Sequence, residues 1–67
     1  RISHPRQIAM YLSRMILNAS FPEIGSFYGD RHYSTVMHGY EQIEKKLEVD
    51  QKLKDVVDDL TEKINNN

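Results

Sequence analysis

Residues 32–35 of this 67-residue chain read His-Tyr-Ser-Thr. All four side chains can form hydrogen bonds, and none carries a negative charge. They stand just before Val36, Tyr40, Ile43 and Leu47, apolar positions that recur at helical spacing. Uncharged polar side chains at an exposed helix start, beside backbone N–H groups that lack helical partners, suit phosphate oxygens and base edges. A plainer reading stays open, in which Ser34 and Thr35 merely initiate the helix. Arg6 and Arg14 are eight residues apart, roughly two turns, so one side of a helix carries both. Two guanidinium forks so placed can straddle a phosphate backbone, although a solvated face is the ordinary use of such residues.

Other chemistry lacks its residues. The histidines are His4, His32 and His38; the last two are six apart and fall on different helix faces. No cysteine is present, so neither a disulfide nor a thiolate metal site is available. The glycines at 25, 29 and 39 are scattered and build no phosphate loop. Ser, His and Asp occur without a triad pattern, and so short a chain has little room for a pocket. The expectation is a non-enzymatic domain with no catalytic residue, no metal and no cofactor of its own.

The elements that must position residues 32–35 begin at Ser20. Ser20 and Glu23 form a Ser-x-x-Glu capping box, with Pro22 in the tolerant first turn. Ile24 and Phe27 give a short helix over 21–28 an apolar stripe. Gly29 follows, where a helix end favours a left-handed residue. Asp30, Arg31 and His32 are turn residues, and a longer helix spans 33–46. Short helix, turn and long helix make a helix-turn-helix, whose second helix can enter a DNA major groove. Gly39 in mid-helix suggests the close approach of another helix.

Upstream, residues 3–18 read as a helix capped by Ser3, with Ile8, Leu12, Met15 and Ile16 as its stripe. Asn18 and Ala19 connect it to Ser20. Downstream, Glu48-Val49-Asp50 breaks the chain, and Asp50 caps a helix over 51–64. Leu53, Val56, Val57, Leu60 and Ile64 form its buried stripe. Residues 65–67 are a frayed end, so the single domain is 1–64. The fold class is all-α, a small helical bundle.

Composition agrees with that: 39% hydrophobic and 28% charged suits a small bundle better than a disordered chain. No apolar run approaches the ~18 residues of a membrane helix. The net charge of −1 is unevenly spread. Residues 1–40 carry all four arginines (1, 6, 14 and 31) against two acids, whereas residues 41–67 carry five lysines against eight acids. The acidic half is expected to face away from an anionic partner. The chain opens at Arg1 in mid-pattern, as a domain excised from a longer protein would.

Three collinear segments resemble one family. Pro5-Arg6-Gln7-Ile8-Ala9-Met10-Tyr11-Leu12 is similar to the opening of the C-terminal DNA-binding domain of DnaA, the bacterial replication initiator. Ser20-Phe21-Pro22-Glu23-Ile24-Gly25 is similar to that family's S-L-P-E-I-G. Residues 29–39, Gly-Asp-Arg-His-Tyr-Ser-Thr-Val-Met-His-Gly, resemble its G-G-R-D-H-T-T-V signature region. The resemblance covers about residues 1–47. It implies a six-helix all-α domain of the TrpR-like type, here lacking its first helix or linker, that binds the short asymmetric DnaA boxes of a replication origin. It further implies base contacts from Pro22 (to a thymine methyl), His32, Tyr33 and Ser34. The implied phosphate contacts are Arg6, Gln7, Arg14, Arg31, Thr35 and His38, the last able instead to pack internally. ATP belongs to another domain of the parent. The domain is expected to be monomeric, bacterial cytoplasmic and nucleoid-associated, with regulatory proteins as possible further partners.

The departures from the family pattern lie at the base-reading tip. His32 stands for its Asp, Tyr33 for its His and Ser34 for its first Thr. An Asp caps a helix and accepts from cytosine N4; a His caps less well and can donate. Asp30 is therefore a rival cap, and the preferred box is expected to differ. The family's minor-groove arginine would lie upstream of Arg1, which predicts weaker affinity than a complete domain has. Two alternatives remain: another helix-turn-helix regulator that dimerises on palindromes, or a protein-interaction module using the 51–64 helix as a groove ligand.

Overall fold

The computed structural model describes residues 3–66; Arg1, counted above among the arginines, and Asn67 lie outside them. The described residues form α1 (His4–Ile16), α2 (Phe21–Phe27), α3 (Tyr33–Leu47) and α4 (Gln51–Asn65), with no strand. Most of the helix boundaries follow from local chemistry. Ser3 holds the extended N-cap position of α1, with Pro5 in the first turn, but makes no side-chain cap bond. The α2 capping box is complete: Glu23 N–H donates to Ser20 Oγ at 3.2 Å, and Ser20 N–H donates to Glu23 Oε1 at 2.9 Å. Asp50 Oδ1 accepts from Leu53 N–H at 3.0 Å and starts α4.

The described residues form four helices, whereas the resemblance implies a six-helix domain without its first helix or linker. Residues 51–65 contain no glycine or proline to interrupt them and run on as one helix. That helix also takes in Asn65, expected to be frayed; Asn66 N–H donates to the Glu62 carbonyl at 3.0 Å.

Two buried clusters divide the interior. Met10, Ile24 and Val36 join α1, α2 and α3. Tyr11, Leu12, Ile43, Leu53 and Val57 join α1, α3 and α4. Because α1 feeds both clusters, its buried surface is broader than a single stripe. This overturns the expected α1 core in part: Met10 and Tyr11 are buried, while Met15 is 56% exposed.

Phe27 is a second correction, being 87% exposed. A seven-residue helix packed on two neighbours needs one deep anchor, and Ile24 fills that place with Phe21 and Tyr28 packed around it. A third concerns α4, which packs on α1 and α3. Leu53 and Val57 are buried and Leu60 packs against them, but Val56 and Ile64 lie about half exposed. The part of α4's apolar face formed by Leu53, Val57 and Leu60 is thus covered by its own domain.

An aromatic series ties the first three helices together. The Arg14 guanidinium lies 4.8 Å over the Phe21 ring. Phe21 meets Tyr40 edge-on at 5.5 Å, and Tyr40 stacks on Tyr11 at 5.1 Å. The Tyr40 hydroxyl donates to Met15 Sδ at 3.3 Å.

Candidate nucleic-acid interface

The tip of α3 is placed by the turn before it. Gly29 (φ 84°) and Asp30 (φ 56°) are both left-handed and reverse the chain after α2. Arg31 N–H then donates to the Gly25 carbonyl at 2.9 Å. The Arg31 carbonyl presses against Gly25 so closely that a Cβ there would collide with it. Gly25 is therefore the residue that lets α2 and the turn meet, a role its scattered spacing did not disclose.

His32 caps α3, a correction to the rival cap at Asp30. The Ser34 N–H donates to His32 Nδ1 at 3.2 Å, and Ser34 Oγ lies 2.7 Å from the same nitrogen. The extended backbone at His32 (φ −61°, ψ 141°) suits a cap. Asp30, with its left-handed backbone two residues earlier, cannot take that position. The Tyr33 ring tilts against His32 at 4.7 Å between centroids.

His32, Tyr33 and Thr35 are exposed and Ser34 is half-buried. Arg6, Phe27, Arg31, His32 and Thr35 line one open concavity between α1 and the turn. It holds two guanidinium groups against one carboxylate, Asp30. Exposed Phe27 joins this surface, and so does Tyr28. Neither was assigned to it from the sequence; for Phe27 the reason is that its i, i+3 spacing with Ile24 read as core.

The other expected contacts, Pro22, Gln7, Arg14 and His38, do not line this concavity. Pro22 is exposed in the first turn of α2. Gln7 lies along Gly39, and its Nε2 donates to Gln42 Oε1 at 2.9 Å, so it braces α1 on α3. The approach at Gly39 is looser than expected: a Cβ would sit 3.5 Å from Gln7 Cγ, ordinary contact. Arg14 is half-buried and tied to the fold, its Nη1 donating to the Ala19 carbonyl at 3.1 Å. Arg6 and Arg14 therefore do not form a matched pair of outward forks. His38 is 73% exposed, 3.9 Å from Glu41, so it does not pack internally.

Among the described residues, Asp30 is the one carboxylate that lines this concavity. Hydrogen bonding from Ser20 holds the Glu23 carboxyl below its usual range. The α4 acids pair along their own helix, Asp58 with Lys54 at 2.9 Å and Asp59 with Lys63 at 3.1 Å. Among the described residues α4 makes no close approach to α2, so it does not cover the turn.

A family model described as the bacterial dnaA protein helix-turn-helix matches residues 1–43. The chain belongs to this family. The matched span runs from the N-terminus through α2 and the turn to Ile43 in α3, leaving α4 outside it. The dnaA-type helix-turn-helix is a DNA-binding module. No solved structure matches the chain. No described helix is long and apolar enough to cross a membrane.

Proposed function

We propose that this dnaA-type domain binds double-stranded DNA sequence-specifically at DnaA boxes of a bacterial replication origin, with the start of α3 in the major groove. The observation that carries this reading is the exposed, acid-poor tip of α3 beside Arg6 and Arg31 in one concavity. Pro22, His32, Tyr33 and Ser34 contact bases. Arg6, Gln7, Arg31, Thr35 and His38 contact phosphates, and Arg14 does so with the donors left after its bond to Ala19. One copy serves one asymmetric box. Such a domain works in the bacterial cytoplasm, at the nucleoid, and performs no catalysis; ATP is handled elsewhere in the parent protein.

Fluorescence anisotropy on a DnaA-box duplex and a scrambled duplex tests this. The box should bind more tightly, and sedimentation should give one protein per box. Arg6→Ala should weaken both duplexes and reduce the slope of log K against log salt by about one, as loss of one phosphate contact does. Equal affinity for both duplexes, or a two-to-one complex on a single box, refutes the reading.

A further inference from the structure

The cap of α3 dictates what His32 can say to a base. Ser34 N–H is a backbone donor and cannot accept, so the nitrogen it reaches, His32 Nδ1, must offer a lone pair. The Ser34 hydroxyl, 2.7 Å from the same nitrogen, must likewise donate to it. Two consequences follow. The neutral imidazole carries its proton on Nε2, the exposed side of the ring. Ser34 Oγ, having turned its proton inward, keeps lone pairs for anything outside. Among the described residues no group pairs with His32 Nε2. The Tyr33 ring, 4.7 Å away, limits how the imidazole can swing.

We infer that His32 is a specificity-determining residue that acts as a hydrogen-bond donor, through Nε2–H, with Ser34 Oγ beside it as an acceptor. The inference rests on the proposed reading of the α3 tip as the base-contacting surface. In the major groove guanine offers O6 and N7, adenine N7 and thymine O4 as acceptors, whereas cytosine offers only the N4 donor. A donor at position 32 therefore rejects cytosine on the strand it faces. An acidic side chain at the same place would choose cytosine. The polarity of the contact is set inside the protein, by the helix cap, before DNA arrives.

Two measurements test this. Long-range proton–nitrogen NMR of the DNA-free domain, labelled with nitrogen-15, reads the tautomer directly. The Nε2–H form is expected, and an Nδ1–H form overturns the inference whatever the domain does with DNA. The second uses a DnaA-box duplex and its complete set of single-base-pair variants. The unaltered domain should disfavour cytosine by about tenfold at one position. His32→Asp keeps a capping acceptor, so its melting temperature should stay close to the parent's while cytosine becomes the preferred base there. If box selectivity is present but His32→Asp leaves the ranking unchanged, the inference fails and the functional reading stands. If no variant duplex is distinguished from any other, both fail.

Discussion

Two glycines of the same helix-turn-helix have opposite meanings, and each predicts a stability change. At Gly25 the obstacle is the Arg31 carbonyl, part of a backbone that cannot swing aside as a flexible side chain would. Gly25→Ala should cost about 1–3 kcal/mol, the range of an overpacked site, and should disturb the α2–α3 turn. At Gly39 a methyl group meets the Gln7 stem at 3.5 Å. Gly39→Ala should gain about 0.5–1 kcal/mol from better helix propensity. Thermal melts of the two variants check the pair; equal shifts in one direction contradict the packing described. The sequence suggested a close helix approach at Gly39 and nothing comparable at Gly25. Which was indispensable depended on a carbonyl six residues downstream, a contact that no local pattern encodes. His32 was more legible. It stood where the family pattern has its capping Asp, with Asp30 as a rival, and its ring's commitment to Ser34 needed coordinates.

Among the elements, α2 shows how a short helix is held. Its capping box places an ionised Glu23 on the Ser20 N–H, and that bond depresses the carboxyl's folded pKa below the ordinary 4.5. A depressed folded pKa stabilises above the unfolded value and is lost as pH falls through the folded one. Acid should therefore erode the melting temperature below pH 4.5. Glu23→Gln, which cannot ionise, should show a flatter acid limb; parallel acid limbs in the two proteins would remove Glu23 from the effect. The element boundaries were readable because caps are local: Ser20, Gly29 and Asp50 each marked an end in the chain itself. The buried faces were readable less often. Met15, Phe27, Val56 and Ile64 have helical spacing but lie about half exposed or more so. Periodicity assigns one face per helix, and α1 buries two, against α2–α3 and against α4. Neighbours that arrive from elsewhere in the chain decide which apolar residue is covered.

The whole molecule is electrically lopsided. Arg6 and Arg31 flank the α3 tip, while Asp55, Asp58, Asp59 and Glu62 ride on α4, which stays clear of α2. A double variant, Asp55→Asn with Glu62→Gln, spares both lysine–aspartate pairs of α4 and shifts the net charge from −1 to about +1. It should associate with duplex DNA several-fold faster at low salt, dissociate at an unchanged rate, and leave the base ranking intact. Stopped-flow association across a salt series measures this; a changed ranking would mean that α4 reaches the bases. The lopsidedness itself was visible in the residue order, arginines early and acids late, although the fold was needed to learn that α4 leaves the turn uncovered. An approaching polyanion exerts a torque on such a body. On the proposed reading it behaves as a compass needle, with collisions through the wrong pole repelled and the imidazole end swung round to meet the groove.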